Sequence, residues 1–187
     1  MPSYEDALEL FHRWIQSESL IRHAFGVEAG MKFYARLYGK DEELWRITGL
    51  LHDMDYEKHP TTEEHPFVGV KVLEELGYPQ EMRTAILGHA DYSGVPRETL
   101  LAKALFAVDE LSGFITAVAY VRPTSLEGMT PKSVNKKLKD KAFAAAVNRD
   151  DIRMGAEELE VELDVHIVNV ITAMQADATR LGLLPSE

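Results

Sequence analysis

The sequence predicts an all-α fold. Nearly every segment places its apolar residues at steps of three and four, and no stretch alternates apolar and polar residues at a period of two. The breaks between segments carry helix caps and stops such as Ser3, Gly39, Asp41 and Pro79. With 187 residues, 45% of them hydrophobic, the chain can bury the core of one domain of ordinary size.

Taken in order, Ser3 caps a first helix with Leu8, Phe11 and Ile15 on one face. A second runs from about Ser19 to Tyr38, where Gly39 ends it. Asp41 caps a third, acidic in its first turn and ending near His52. His65-Pro66 opens a fourth, since proline fits the first helical position, and Gly77-Tyr78-Pro79 closes it. A fifth covers Gln80 to His89 and leads into the turn-like Asp91–Pro96 stretch. A sixth spans Arg97 to about Val121, with a break expected near Ser112-Gly113. After Arg122-Pro123 the texture changes. Thr130-Pro131 starts a short basic helix, Lys132 to Lys141. Asp150-Asp151 caps a last segment whose Leu159, Leu163, Ile167, Val170, Met174, Ala178 and Leu181 form one apolar stripe. The expected organisation is a helical core over 1–122 and a helical extension over 123–187 packed on it.

A net charge of -11 argues against a nucleic-acid polymer or an anionic membrane as partner. There are no cysteines, hence no disulfide, thiolate nucleophile or zinc-finger ligand. Any metal must be held by imidazole, carboxylate and water, a set that suits Fe, Mn, Zn, Ni, Co or Mg. The N-terminus has early acids and no basic apolar leader, and the longest apolar run, around Phe114–Val121, is too short to cross a bilayer. A cytoplasmic location is expected.

The stretch GLLHDMDYEKHP, residues 49–60, ends an apolar segment on an adjacent imidazole and carboxylate, His52-Asp53. Other polar residues also fall on apolar faces: His23 with Leu20, Val27, Gly30 and Tyr34; His65 with Gly69, Val72 and Leu76; His89 with Met82, Ala85 and Ile86. Asp109 shares its face with Leu101, Leu105, Val108 and Ser112. An ionised carboxylate costs several kcal/mol to bury alone, so Asp109 needs a cation or a good donor. A shared metal centre would satisfy all of these groups together; Lys103 or Arg22 is the alternative partner for Asp109. His12 and His166 read as boundary packing, and His59 as a loop residue before Pro60.

The order His23, His52-Asp53, Asp109 resembles the H…HD…D pattern of the HD-domain metallohydrolase superfamily, over roughly residues 20–115. It implies a helical bundle of the HD type. The stretch His65-Pro66-Phe67-Val68-Gly69 is similar to the HP-x-x-G of branches that hold two metals, among them cyclic-dinucleotide phosphodiesterases and mixed-valent di-iron oxygenases. The resemblance implies one metal on His23, His52, Asp53 and Asp109, and a second on His65, His89 and a bridging Asp53. The chain departs from the pattern after the HD pair, where many relatives have x-Gly-Lys. Here the residues are Met54-Asp55-Tyr56, and the next lysine is Lys58.

Two divalent ions against the two carboxylates Asp53 and Asp109 leave such a site net positive, which favours a small anionic, phosphorylated substrate. Ions about 3.5–4 Å apart share a hydroxide and clamp phosphoryl oxygens during in-line attack. The expected activity is therefore metal-dependent hydrolysis of a phosphomonoester or phosphodiester, nucleotides included. Asp53 would bridge and orient, with Lys58 or Asp55 as proton or charge partner. Lys132, Lys136, Lys137 and Arg149 are candidates to bind phosphate over the mouth, or else a solvated face. The same six ligands suit a di-iron oxygenase cleaving a C–C or C–P bond; a non-catalytic metal-binding signalling module is the third reading.

Overall fold

A computed structural model describes residues 1–185 of the chain. Among the described residues it contains ten α-helices and no β-strand: α1 (Tyr4–Trp14), α2 (Glu18–Tyr38), α3 (Glu42–Leu51), α4 (Phe67–Glu75), α5 (Gln80–His89), α6 (Leu100–Tyr120), α7 (Pro131–Leu138), α8 (Arg149–Glu158), α9 (Leu163–Ala176) and α10 (Ala178–Leu181). A single 3₁₀ turn covers Asp91–Ser93. None of these helices is long and apolar enough to cross a membrane.

Local chemistry sets the ends. The Ser3 hydroxyl accepts from Asp6 N–H while the Asp6 carboxylate accepts from Ser3 N–H, a reciprocal cap on α1. Gly39 turns left-handed at φ 60 and its N–H closes on the Ala35 and Arg36 carbonyls, which ends α2. Asp41, Thr99 and Thr130 each accept a first-turn N–H at the starts of α3, α6 and α7.

The middle of the molecule is α6, whose Leu101, Leu105, Val108, Leu111, Phe114, Ile115 and Val118 are all buried. Helices α2, α5 and α8 pack around it; α3 lies against α2, α1 against α3, and α9 against α2. The α6–α8 contact is close because position 155 is glycine: a Cβ there would lie 2.6 Å from the Cα of Ala107. Residues 123–185 thus return across the bundle rather than trailing from it.

The structure corrects several expectations. Helix α6 runs unbroken through Ser112-Gly113, and the Ser112 hydroxyl donates back to the Asp109 carbonyl within it. It starts at Leu100 behind the Thr99 cap, not at Arg97, whose side chain is committed elsewhere. Pro66 is the cap of α4 instead of its first residue, and α7 stops at Leu138. The final segment is three helices, with Asn148 as the cap of α8 in place of Asp150-Asp151. The chain breaks at Glu160, which takes φ 57, and again at Asp177. Leu159, Ile167, Val170, Met174 and Leu181 are all buried, but on three helices separated by those breaks, α8 against α6, α9 against α2 and α6, and α10 against α2. Periodicity reported burial there, not continuity.

Candidate metal centre

Five elements of the fold deliver polar side chains to one point. His23 comes from the second turn of α2, His52 and Asp53 from the end of α3, and His65 from just ahead of α4. His89 is the last residue of α5, and Asp109 lies midway along α6. The first triad of donor atoms is on His23, His52 and Asp109; the second is on Asp53, His65 and His89. Within each, the donor atoms lie within 4.8 Å of one another.

Asp53 belongs to the second triad and its carboxylate also reaches the first. Its Oδ2 lies 3.7 Å from His23 Nε2 and 3.4 Å from His52 Nε2. Its Oδ1 lies 3.3 Å from His65 Nε2 and 3.2 Å from His89 Nε2. Asp109 Oδ1 closes the first triad, 3.0 Å from His23 Nε2 and 3.4 Å from His52 Nε2.

Three of the rings are held from behind. His52 Nδ1–H donates to the Gly49 carbonyl at 2.8 Å, and His89 Nδ1–H to that of Ile86. His65 Nδ1–H donates to Asp55 Oδ1 at 2.7 Å, and Asp55 Oδ2 accepts from Gly69 N–H at 2.6 Å. Each anchor leaves Nε2 as the free nitrogen facing the centre, the arrangement by which proteins orient metal-ligating histidines. His52 Nε2 is buried without a hydrogen-bond partner, and a buried nitrogen left so is costly. The donor set, four imidazoles and two carboxylates, fits divalent cations of the first transition row.

The electrostatics agree. Burial opposes charge on His52, yet Asp53 and Asp109 outweigh it and hold its pKa well above the usual imidazole value. His65 is buried too, but Asp53 and Asp55 push it up to about 9. Conversely, burial opposes ionisation of Asp53 and Asp109, and the imidazoles, His52 foremost, keep both well below the carboxylate range. Protons on His52 and His65 therefore do here what a cation would do, and a metal would have to displace them.

A cleft of about 520 Å³ opens over the centre. Tyr56, Tyr92 and Phe106 line it with Asp91, Glu110, Asn148 and Asp151. Glu110 is pushed up to about 7, by burial first and then by Asp109 and Asp151. Asp151 is raised by burial and by Asp91. These wall residues escaped the sequence reading. Glu110 carried no sequence signal beyond its adjacency to Asp109, and Asp151 read as a helix cap.

Several expected partners lie elsewhere. Lys58 does not line the cleft: its Nζ donates to the Arg13 carbonyl at 3.1 Å and sits 4.7 Å above the Trp14 ring, because the turn after His52 aims it at α1. Asp55 is fully buried and reaches the centre only through His65. Lys132 and Lys136 point to solvent, and Lys137 caps the Phe143 ring at 4.5 Å. Arg149 is absorbed by the Asp140, Phe143, Ala144 and Val147 carbonyls. Arg22 bonds Glu18 and Tyr120 instead of Asp109. His12 is exposed, His59 bonds Glu64, and His166 is fully buried, accepting from the Tyr34 hydroxyl and donating to the Ala107 carbonyl.

A family model described as HD domain matches residues 20–113, half of the chain. Among curated proteins, ribonuclease Y of Oleidesulfovibrio alaskensis is 28% identical over 106 residues, which are 56% of this chain and 20% of that one. The chain thus spans about a fifth of the length of the curated relative it matches. No solved structure matches it. The matched span opens in α2 and closes inside α6, so it contains all six converging side chains and stops short of the segment that supplies Asn148 and Asp151. By that match and its converging histidines and aspartates, the chain belongs to the HD domain family.

Proposed function

We infer that the protein is a metal-dependent hydrolase of a small phosphate ester. The observation that carries this reading is the divided carboxylate of Asp53, whose two oxygens face two separate triads. His23, His52 and Asp109 would hold one divalent ion, His65 and His89 a second, and Asp53 would touch both. When bound, such a pair supplies Lewis acidity toward phosphoryl oxygens and a water acidified toward neutrality.

The chain's own residues do the rest. Asp55, Gly49 and Ile86 fix the imidazole tautomers, so that Nε2 of His65, His52 and His89 faces the centre. Burial of His52 and His65 keeps bulk water off those two rings and strengthens their charge interactions. The ester's organic part would lie along Tyr56, Tyr92 and Phe106. The acidic wall and the net charge of -11 favour a small ester over a nucleic-acid polymer.

The test is elemental analysis of protein purified with and without air, paired with turnover of a phosphomonoester and phosphodiester panel. Two metals per chain and hydrolysis that disappears in Asp53→Ala are expected. A mixed-valent iron signal that changes with substrate, with oxygen consumed and no ester cleaved, would sink the hydrolase reading in favour of the di-iron oxygenase.

A further inference from the structure

Arg97 lies in the loop between the 3₁₀ turn and α6, and its side chain is only 10% exposed. Nε and Nη2 close a two-pronged fork on the Glu158 carboxylate, each bond 2.7 Å long. Nη1 donates to the Gly88 carbonyl at 2.9 Å and to Asp91 Oδ1 at 2.6 Å. The guanidinium rests on the buried Phe106 ring, with Cζ 3.6 Å from its centroid. One buried charge therefore joins the last turn of α5, the turn that carries Tyr92, and the end of α8.

The first of these contacts bears on the metal centre. Carbonyls in the last turn of a helix lack donors within it, and in α5 each accepts from a side chain: Ile86 from His89, Leu87 from the Ser93 hydroxyl, Gly88 from Arg97. His89 is thus anchored to its own turn, and that turn is anchored by Arg97 and Ser93. The arginine stem presses on the same backbone, since a Cβ at Gly88 would lie 3.2 Å from Arg97 Cγ. A displaced turn would carry His89 Nε2 away from Asp53 Oδ1, 3.2 Å distant. Only a planar fork can meet Glu158 at two points and still reach a carbonyl and a second carboxylate; a lysine ammonium offers its donors at one point.

We propose that Arg97 is a positioning residue for the second metal: it fixes the last turn of α5, hence His89, and through Glu158 makes that metal's affinity depend on α8. The metal rests on the two-metal reading above; the placing of His89 does not. Glu158 lies beyond the matched span of residues 20–113, so the C-terminal segment tunes a ligand inside it.

The experiment compares Arg97→Lys and Glu158→Gln with the wild type in manganese titrations of the metal-stripped full chain, with metal content counted on every sample. Lysine keeps the charge and loses the fork; glutamine keeps the shape of Glu158 and loses one acceptor. The binding step that His89→Ala abolishes marks the second metal. In both variants that step should weaken about tenfold, as when a metal ligand loses its outer support. The first metal, on His23, His52 and Asp109, should keep its affinity. A role confined to general stability would weaken the two alike. The second readout needs no metal: the His89 Cε1–H signal in the NMR spectrum of the metal-free protein should shift in both variants, while that of His23 stays in place. Retained second-metal affinity in both variants, equal weakening of both metals, or an unmoved His89 signal overturns the proposal. If the wild type takes up one metal only, the two-metal reading falls, and the His89 signal alone decides whether Arg97 positions that ring. Should Arg97→Lys not fold, Glu158→Gln, at a side chain 27% exposed, decides by the same criteria.

Discussion

Asp55→Asn separates a positioning role from mere burial, because an amide cannot replace this carboxylate. Asp55 is fully buried, with one oxygen accepting from His65 Nδ1–H at 2.7 Å and the other from Gly69 N–H at 2.6 Å. Asparagine offers one oxygen and one NH₂. With the oxygen toward His65, the NH₂ meets the Gly69 N–H, and a buried donor is left unsatisfied at a cost of about 1–3 kcal/mol. With the oxygen toward Gly69, His65 must adopt the other tautomer, so that Nδ1 accepts and Nε2 carries the hydrogen. That Nε2 faces Asp53 Oδ1 at 3.3 Å, and protonated it has no lone pair for a metal. The expected result is a loss of about 2 kcal/mol in the metal-free protein, read as a melting shift of about 5 °C for a chain of this size. The second metal should bind about 10–100-fold more weakly. The first, on His23, His52 and Asp109, should keep its affinity and so acts as a control within one metal titration. Two tight metals in Asp55→Asn would refute the reasoning, as would equal weakening of both.

Other outcomes follow from the same coordinates. His89→Ala should leave one tightly bound metal while Asp53→Ala leaves none, as counted by elemental analysis; equal stoichiometry in the two variants contradicts a bridging Asp53. Gly155→Ala should destabilise by about 1–3 kcal/mol, because the new Cβ would meet the Ala107 backbone at 2.6 Å, which outweighs the helix-propensity gain of about 1 kcal/mol. Gly26→Ala, whose nearest neighbour would be Met174 Cε at 3.6 Å, should instead raise the melting temperature; a higher melting point for Gly155→Ala would show that the α6–α8 contact is looser than described. His166 is held down to about 4 by burial, so its stabilisation is complete above its unfolded pKa of 6.5 and is lost as pH falls through 4. That amounts to roughly 3 kcal/mol, and the acid side of the pH–stability curve should flatten in a His166→Gln variant that still folds. His65 works in the opposite sense in the metal-free protein: raised to about 9, it contributes stability below pH 6.5 that disappears as pH rises through 9, and metal affinity should climb over the same interval.

Much of this architecture could be read from the chain itself. Helical periodicity relates sequence spacing directly to a face, so the all-α fold and the caps at Ser3, Gly39 and Asp41 were legible. So was the placing of His23, His52, His65, His89 and Asp109 on apolar faces, since a polar group on such a face is conspicuous in sequence. What the spacing could not convey is which partner a polar side chain chooses. Lys58 and Arg149 looked available, yet one is spent on a carbonyl of α1 and the other on the carbonyls of its own loop. Asp55 looked like a charge partner for substrate and proved to be the anchor of His65. Glu110 and Asp151, 41 positions apart in the chain, became one acidic wall only because Gly155 lets α8 close onto α6. Periodicity is local, and the chain carries it residue by residue. The division of Asp53 between two triads and the polarity of the cleft depend on distances between helices, which only the packed tertiary structure decides.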